Sequence, residues 1–379
     1  MTAAPETLKP LTTLRFAAAL WVVLYHYWPD LTAAAMPGVV AKGYLGVELF
    51  FVLSGFILSH VYLPGFGAGR FRYGPFLWAR LARVYPLHLA TLAGLGLLIA
   101  AAAVLGVRTG EEVLIWSSLP GQLLLAQAWG LTPHGGWNHP SWSISAEWFA
   151  YLSFPAFAWA AWRLRDRPRL AVAGAVALVA VAGLAFERLA GFPLTQATIA
   201  WGALRIVPCF ALGCAVHLLW RASGAWRPSA AVACVCAFLL AVVMAAALGA
   251  PDALSVTLFG GLILSLAGLA VSGSRLMSSP LGVYLGEVSF AVYMVCIPWR
   301  LVVVQGLHKA LGLAEGPMPW PLWAAMFAGV IPVAMLAHHL VERPARTAMR
   351  AWSGAGFRIA PRTRLQARMR RFVGGAAAA

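Results

Sequence analysis

The feature that most constrains this chain is the recurrence of apolar runs about twenty residues long. They cover 11–28, 44–63, 84–106, 142–162, 169–189, 200–220, 228–248, 253–272, 281–304 and 319–341. A helix needs about 20 mainly apolar residues to cross a bilayer. The pattern therefore predicts an all-α, polytopic bundle of about ten transmembrane helices. Composition agrees. The chain is 61% hydrophobic and 11% charged, where soluble domains are roughly half apolar and about a quarter charged. That excludes both a soluble globular protein and a disordered one. One further apolar segment, 113–130, carries Pro120, Gly121, Gln122 and Gln127. It is expected to be re-entrant or interfacial.

The net charge of +16 would point to nucleic acid in a soluble protein. In a membrane bundle it is first a question of sidedness. With the N-terminus in the cytoplasm and 113–130 not crossing, 22 of the 28 basic residues fall on the cytoplasmic side and six outside. If 113–130 crossed, every later loop would change sides and the basic tail would face outward. The positive-inside bias opposes that. Both termini are therefore expected in the cytoplasm. The first run carries Arg15, Tyr25, His26 and Trp28 and no small-residue cleavage site, so it reads as a retained helix. Residues 1–346 are expected to form one membrane domain, followed by a basic cytoplasmic tail over 347–379 without fixed structure. Its arginines suit contact with anionic lipid. Arginine far outnumbers lysine, and alanine and glycine abound. This suggests a G+C-rich, hence bacterial, genome and a cytoplasmic (inner) membrane location. The five cysteines lie in apolar stretches without metal-ligand spacing. No metal and no nucleic-acid partner is expected.

Ionisable residues inside a bilayer cost about 2.5–3.5 kcal/mol each on insertion scales, so each is a candidate for function. The structural alternative is an ion pair that holds the bundle, or a side chain reaching the interface. In the first helix, Arg15 and His26 are eleven residues apart. At about 100° per residue they share a face, and at 1.5 Å per residue they are roughly 16 Å apart. The second helix carries Glu48 near its outer end and Ser54-Gly55 further in, a pair that allows close helix approach. Arg80 and Arg83 share one face of the third helix, and guanidinium forks bind phosphate. In the fourth, Ser143, Glu147 and Tyr151 follow i, i+4 spacing and form a polar stripe. Glu147 is expected level with Glu48 and His26, with Arg205 adding a positive charge there. In the ninth, Ser289 and Tyr293 share a face. Glu287 and Glu342 fall near the cytoplasmic arginines and read as their ion-pair partners.

In order and spacing these segments resemble acyltransferase family 3, the integral-membrane O-acyltransferases of bacteria. The residues that carry the likeness are Arg15 with ten residues before His26, the Gly46–Phe56 run, and Arg80-x-x-Arg83 before Tyr85-Pro86. Ser141–Glu147, Gly286-x-x-Ser289 with Tyr293, and Glu342-x-Pro344 complete it. The resemblance covers about 9–346. It implies transfer of an acyl group, usually acetyl, from cytoplasmic acyl-CoA (here as donor substrate) to a hydroxyl of a carbohydrate or glycosylated acceptor. His26 matches the position regarded as catalytic, and Arg15, Arg80 and Arg83 match essential positions that suit CoA phosphates. Two departures stand out. Cys296 occupies a position where the family often has His. The tail is also too short for a fused esterase-like domain, so a system that needs one is not expected.

The resulting expectation has His26 as general base, oriented by Glu147 or Glu48. Tyr151 or Arg205 would be available to the oxyanion, and Ser54, Ser143, Ser289 and Tyr293 would line or support the substrate site. The rival class is a transporter using the same buried His, Glu and Arg. Transporters often show internal repeats and paired broken helices, and neither is evident here.

Overall fold

The computed structural model describes residues 8–104, 113–131, 135–307 and 316–356. Twelve long helices organise them: α1 (Lys9–Leu31), α2 (Gly46–Gly67), α3 (Tyr73–Val104), α4 (Ser141–Leu152), α5 (Phe154–Arg163) and α6 (Pro168–Ala190), then α7 (Gly202–Ala222), α8 (Pro228–Ala247), α9 (Asp252–Val271), α10 (Pro280–Leu301), α11 (Trp320–Ala337) and α12 (Arg343–Gly356). No strand occurs among the described residues. Among the described residues, eight helical stretches are long and apolar enough to cross a membrane. All ten expected runs are helical. The two that fall short of that measure have identifiable reasons. Helix α1 carries Arg15 in its apolar run, and Trp21, Tyr25, His26 and Tyr27 further lower its mean hydropathy. The run expected over 142–162 is divided between α4 and α5 at Ser153. Pro155, in the first turn of α5, has no N–H to continue the ladder from α4.

Burial separates the centre of the bundle from its rim. In its most apolar window α7 is 72% buried, whereas α6 and the α11–α12 stretch are 22% buried. Helix α7 therefore packs on all sides, and α6 leaves most of its apolar face for lipid. The closest approach is between α2 and α7. A Cβ at Gly213 would overlap the Val52 carbonyl, and one at Gly55 would overlap the Phe210 carbonyl. Paired small residues let the two backbones touch, which is how apolar helices gain contact when lipid offers no hydrophobic penalty. The expected role of Gly55 is met this way. Gly286 does the same for α10 against Thr12 of α1.

Within 113–130 the described chain does not form a crossing helix. It makes two short turns, Trp116–Ser118 and Leu119–Leu123, and folds inward beneath the start of α4. Buried backbone groups away from water need partners, and this loop finds them in side chains. Gln127 Nε2 donates to the Ser141 carbonyl at 3.0 Å, and Ser141 Oγ donates to Gln122 Oε1 at 3.0 Å. Ser145 Oγ donates to the Leu125 carbonyl at 2.7 Å and accepts from the Ala128 N–H at 3.0 Å.

At the other end of the chain, the expected tail boundary at 347 is corrected. Helix α12 runs on to Gly356, because Met349 and Trp352 give it an apolar side that docks on α3. Trp78 Nε1 donates to the Met349 carbonyl at 2.7 Å, and the Trp78 and Trp352 rings meet at 5.7 Å. The rest of the expected tail, 357–379, lies outside the described residues, as do Arg108 and Lys309 from the charge count.

Candidate active site

Helices α1, α2, α3, α4 and α10 enclose a cavity, and most of the expected site residues line it. Helix α1 supplies Arg15, α2 supplies Ser54, and α3 supplies Arg80 and Arg83. Ser143, Glu147 and Tyr151 come from α4, and Ser289 and Tyr293 from α10. The i, i+4 stripe on α4 faces this space as its spacing required. Along α2 the wall runs from Val47 to Leu58, about 16 Å of helix.

The basic end of the cavity holds three guanidinium groups. Arg83 Nη1 donates to Glu342 Oε1, but its Nη2 is buried and unpaired. Arg80 lies over the Tyr62 ring at 5.6 Å and donates weakly to the Tyr62 hydroxyl at 3.3 Å. Its Nε is also buried and unpaired. Arg15 has no hydrogen bond or ion pair among the described residues and feels the charges of Arg83, Glu147 and Glu342. Glu342 is placed by a widened turn over His338–Glu342 between α11 and α12. Its Oε2 meets His338 Nδ1 at 2.8 Å, and Arg346 stands 3.6 Å away. Such widened turns are frequent at functional sites. The expected pairing of Glu342 with an arginine is present. Glu287 is exposed and forms no ion pair among the described residues.

Glu147 sits further along the cavity, accepting from Ser54 Oγ at 2.6 Å. This corrects its expected depth. Ser54 lies six residues, about 9 Å, inward of Glu48, so Glu147 is deeper than Glu48. The described loop residues 122–128 bond to Ser141 and Ser145 in the first turns of α4.

At the other end of the cavity stands one hydrogen-bonded layer. Tyr293 OH accepts from Ser143 Oγ at 2.8 Å and donates to the Pro140 carbonyl at 3.0 Å. Asn138 Nδ2 ties the same loop to α10 through the Met294 carbonyl at 2.8 Å. Ser289 donates to the Gly286 carbonyl of its own helix at 2.8 Å.

His26 lies beyond this layer. Gly46 of α2 packs on Ala18 and Val22, so the neighbouring Val47 marks their level. His26 is one turn further out, about 6 Å past Val22. His139 and Arg300 are near enough to act on its charge, and Arg300 forms a two-pronged pair with Asp30 at 2.5 and 2.6 Å.

Neither expected carboxylate orients His26. Its Nδ1 faces the Val22 carbonyl at 2.8 Å. A carbonyl oxygen only accepts, so Nδ1 carries the proton. In the neutral ring Nε2 then keeps its lone pair. Glu48 instead accepts from Arg205 Nε at 2.5 Å, both side chains being buried. Arg205 also donates to the Ala197 carbonyl at 2.7 Å and lies over the Trp142 ring at 4.5 Å. It is therefore committed to Glu48 and does not line the cavity.

Three contributors were not singled out from sequence: His139, the Asp30–Arg300 pair and Asn138. Asp30 carried a usable signal, since it follows His26 by four residues on the same helix face. The described residues hold no group of three or more His, Cys, Asp or Glu able to bind a metal.

Comparison with known proteins is consistent with this arrangement. An acyltransferase domain family matches residues 10–339. "Acyltransferase MdmB" of Streptomyces mycarofaciens is 31% identical over 377 residues, covering 89% of this chain and 91% of the relative. "Protein 2 in picA locus" of Rhizobium radiobacter is 38% identical over 127 residues, 34% of this chain and 64% of the relative. No solved structure matches. The helical membrane bundle, the match across nearly its whole length and the full-length likeness to a named acyltransferase agree: the chain belongs to acyltransferase family 3 and is a membrane acyltransferase.

Proposed function

We propose that the protein transfers an acyl group from acyl-CoA, entering from the cytoplasm, to a hydroxyl of a sugar-bearing acceptor on the other side, with His26 as general base. The observation that carries this reading is the cavity between Arg15, Arg80 and Arg83. Two of these guanidiniums keep buried N–H donors without partners. A buried donor left unpaired costs about 1–3 kcal/mol, and a phosphate oxygen is the acceptor that suits a guanidinium best. Acetyl-CoA is the first donor to test.

The rest of the cavity suits an extended arm. Its length along α2 is of the order of a pantetheine chain, and its walls turn apolar beyond Ser54, with Val47, Phe50 and Phe51. The thioester would arrive at the Ser143–Tyr293 layer, which must open for it to meet His26. His26 Nε2 would take the acceptor hydroxyl proton as the oxygen attacks the thioester carbonyl carbon. A C–O bond forms and the tetrahedral intermediate collapses with loss of the C–S bond. The departing sulfur takes the proton back from His26. The products are an ester and free CoA. The N- and C-termini and the basic end of the cavity would face the cytoplasm.

The test uses purified protein in lipid nanodiscs with radiolabelled acetyl-CoA and a panel of sugar acceptors. Arg80→Ala should raise KM for the donor about 10-fold or more, from the loss of a charged hydrogen bond worth about 1.5–3 kcal/mol. Its kcat should change much less. Arg80 is the cleaner probe because Arg83 also neutralises Glu342. A fall in kcat with KM unchanged would remove Arg80 from donor binding. Binding of neither acetyl-CoA nor longer acyl-CoA by folded protein would overturn the reading.

A further inference from the structure

A second cavity, of about 580 Å³, opens at the His26 end of the bundle between α6, α7 and the turn leading into α9. It lies on the opposite side of α2 from the arginine cavity. Phe51, Trp142 and the Glu48–Arg205 pair stand between the two. Nothing in the donor reading uses it.

Its chemistry is specific in three ways. First, Glu48 lines it with no exposed surface. One carboxylate oxygen is held by Arg205, and the other, Oε2, is buried without a partner. That atom calls for a hydrogen-bond donor. Second, the charges do not balance. Glu48, Asp252 and Glu187 face Lys42 and Arg205, a net of one negative charge. Asp252 already takes Lys42 at 2.5 Å, Tyr44 at 2.8 Å and Thr195, so the positive groups are spoken for. Third, the wall formed by Val179, Ala180, Gly183 and Leu184 of α6 is apolar, with Glu187 at its end. Leu184 is 58% exposed on that helix, and a Cβ added at Gly183 would meet nothing within 4 Å. The cavity therefore has a polar floor and a side open toward the lipid-facing rim.

Two aromatic rings link it to His26, the proposed base. The Tyr44 ring lines the cavity and meets the Tyr25 ring at 5.7 Å, and Tyr25 meets the His26 ring at 5.1 Å.

We propose that this cavity holds the acceptor, and that the acceptor is a hydroxyl-bearing amphiphile, neutral or carrying an amine. Its polar head donates to Glu48 Oε2 and packs on Tyr44, an aromatic face suited to the apolar side of a sugar ring. Its apolar part lies along α6. An anionic head is disfavoured by the charge imbalance. This inference rests on the transfer reading for its role but not for its binding.

The probes are three alkyl glycosides of equal chain length: a glucoside, a 2-amino-2-deoxyglucoside and a glucuronide. Binding to the nanodisc protein is measured without acyl-CoA. The glucoside and aminoglucoside should bind at least tenfold more tightly than the glucuronide. Gly183→Phe should weaken both at least tenfold, while acetyl-CoA binding by the same sample stays at the wild-type level and shows that it is folded. Glu48→Gln should narrow the preference for the amine over the acid. Failure of all three probes to bind, a preference for the glucuronide, or indifference to Gly183→Phe overturns the assignment. Loss of donor binding and turnover in the wild type, with glycoside binding intact, would instead sink the transfer reading.

Discussion

Replacing His26 by alanine should lower acyl transfer about 10²–10⁴-fold, the range for removing a general base. Acyl-CoA binding and thermal stability should stay near wild type. The argument is geometric. The arginines sit at one end of the cavity, and His26 lies beyond the Ser143–Tyr293 layer at the other. The only hydrogen bond His26 makes among the described residues is to the carbonyl one turn back in its own helix, so truncation opens no inter-helix contact. The measurement pairs single-turnover transfer with acyl-CoA affinity on the same preparation. If transfer stays within threefold, His26 is not the base. If acyl-CoA affinity falls along with transfer, binding and chemistry are not divided between the two ends of the cavity.

Length and hydropathy made the bundle legible, because a helix crossing lipid must satisfy its own backbone and cover about 30 Å. The break at Ser153 was hidden because Phe154-Pro155 sits within an apolar run, where hydropathy carries no trace of a missing N–H. Spacing within one helix was equally readable. The Ser143, Glu147 and Tyr151 stripe faces one space, as does the Arg80 and Arg83 pair. What the sequence withheld was which face of a helix meets which neighbour. Glu48, Glu147 and His26 looked level, yet Glu147 serves Ser54 and Glu48 serves Arg205, 157 residues away. Counting residues gives height along a helix, while the angular match between helices is set by packing. One clue was present. Glu48 and Ser54 are six residues apart, about 120° around α2. A carboxylate that meets Ser54 therefore faces a different side of the helix from Glu48. The segment over 113–131 was the other obscured element. Gln127 pairs with Ser141, and the Leu125 and Ala128 backbone pairs with Ser145, so the loop is tied to the first turns of α4.

Arg205→Ala should destabilise the fold by about 3–5 kcal/mol, the cost of leaving one member of a buried ion pair without its partner. Glu48 is fully buried and has Arg205 as its only hydrogen-bonded partner among the described residues. Arg205 is less dependent on Glu48, since it also holds the Ala197 carbonyl and the Trp142 ring. Glu48→Gln should therefore cost less than Arg205→Ala, because an amide oxygen still accepts from Nε. The double variant Glu48→Gln, Arg205→Met removes both charges and keeps much of the volume. It should recover part of the loss, since a buried pair replaced by well-packed uncharged groups is often neutral. Unfolding free energies of the wild type, Glu48→Gln, Arg205→Met and the double variant in one detergent form the cycle, and a coupling above about 1 kcal/mol is expected for groups in contact. A cost below about 1 kcal/mol for Arg205→Ala would mean that Glu48 finds water or another donor when the guanidinium is gone. The adjoining cavity, which Glu48 lines, offers a route for that water. That outcome would make the Glu48 carboxylate accessible from the side on which the acceptor is proposed to bind. Stability and ligand binding at this residue thus report on the same wall.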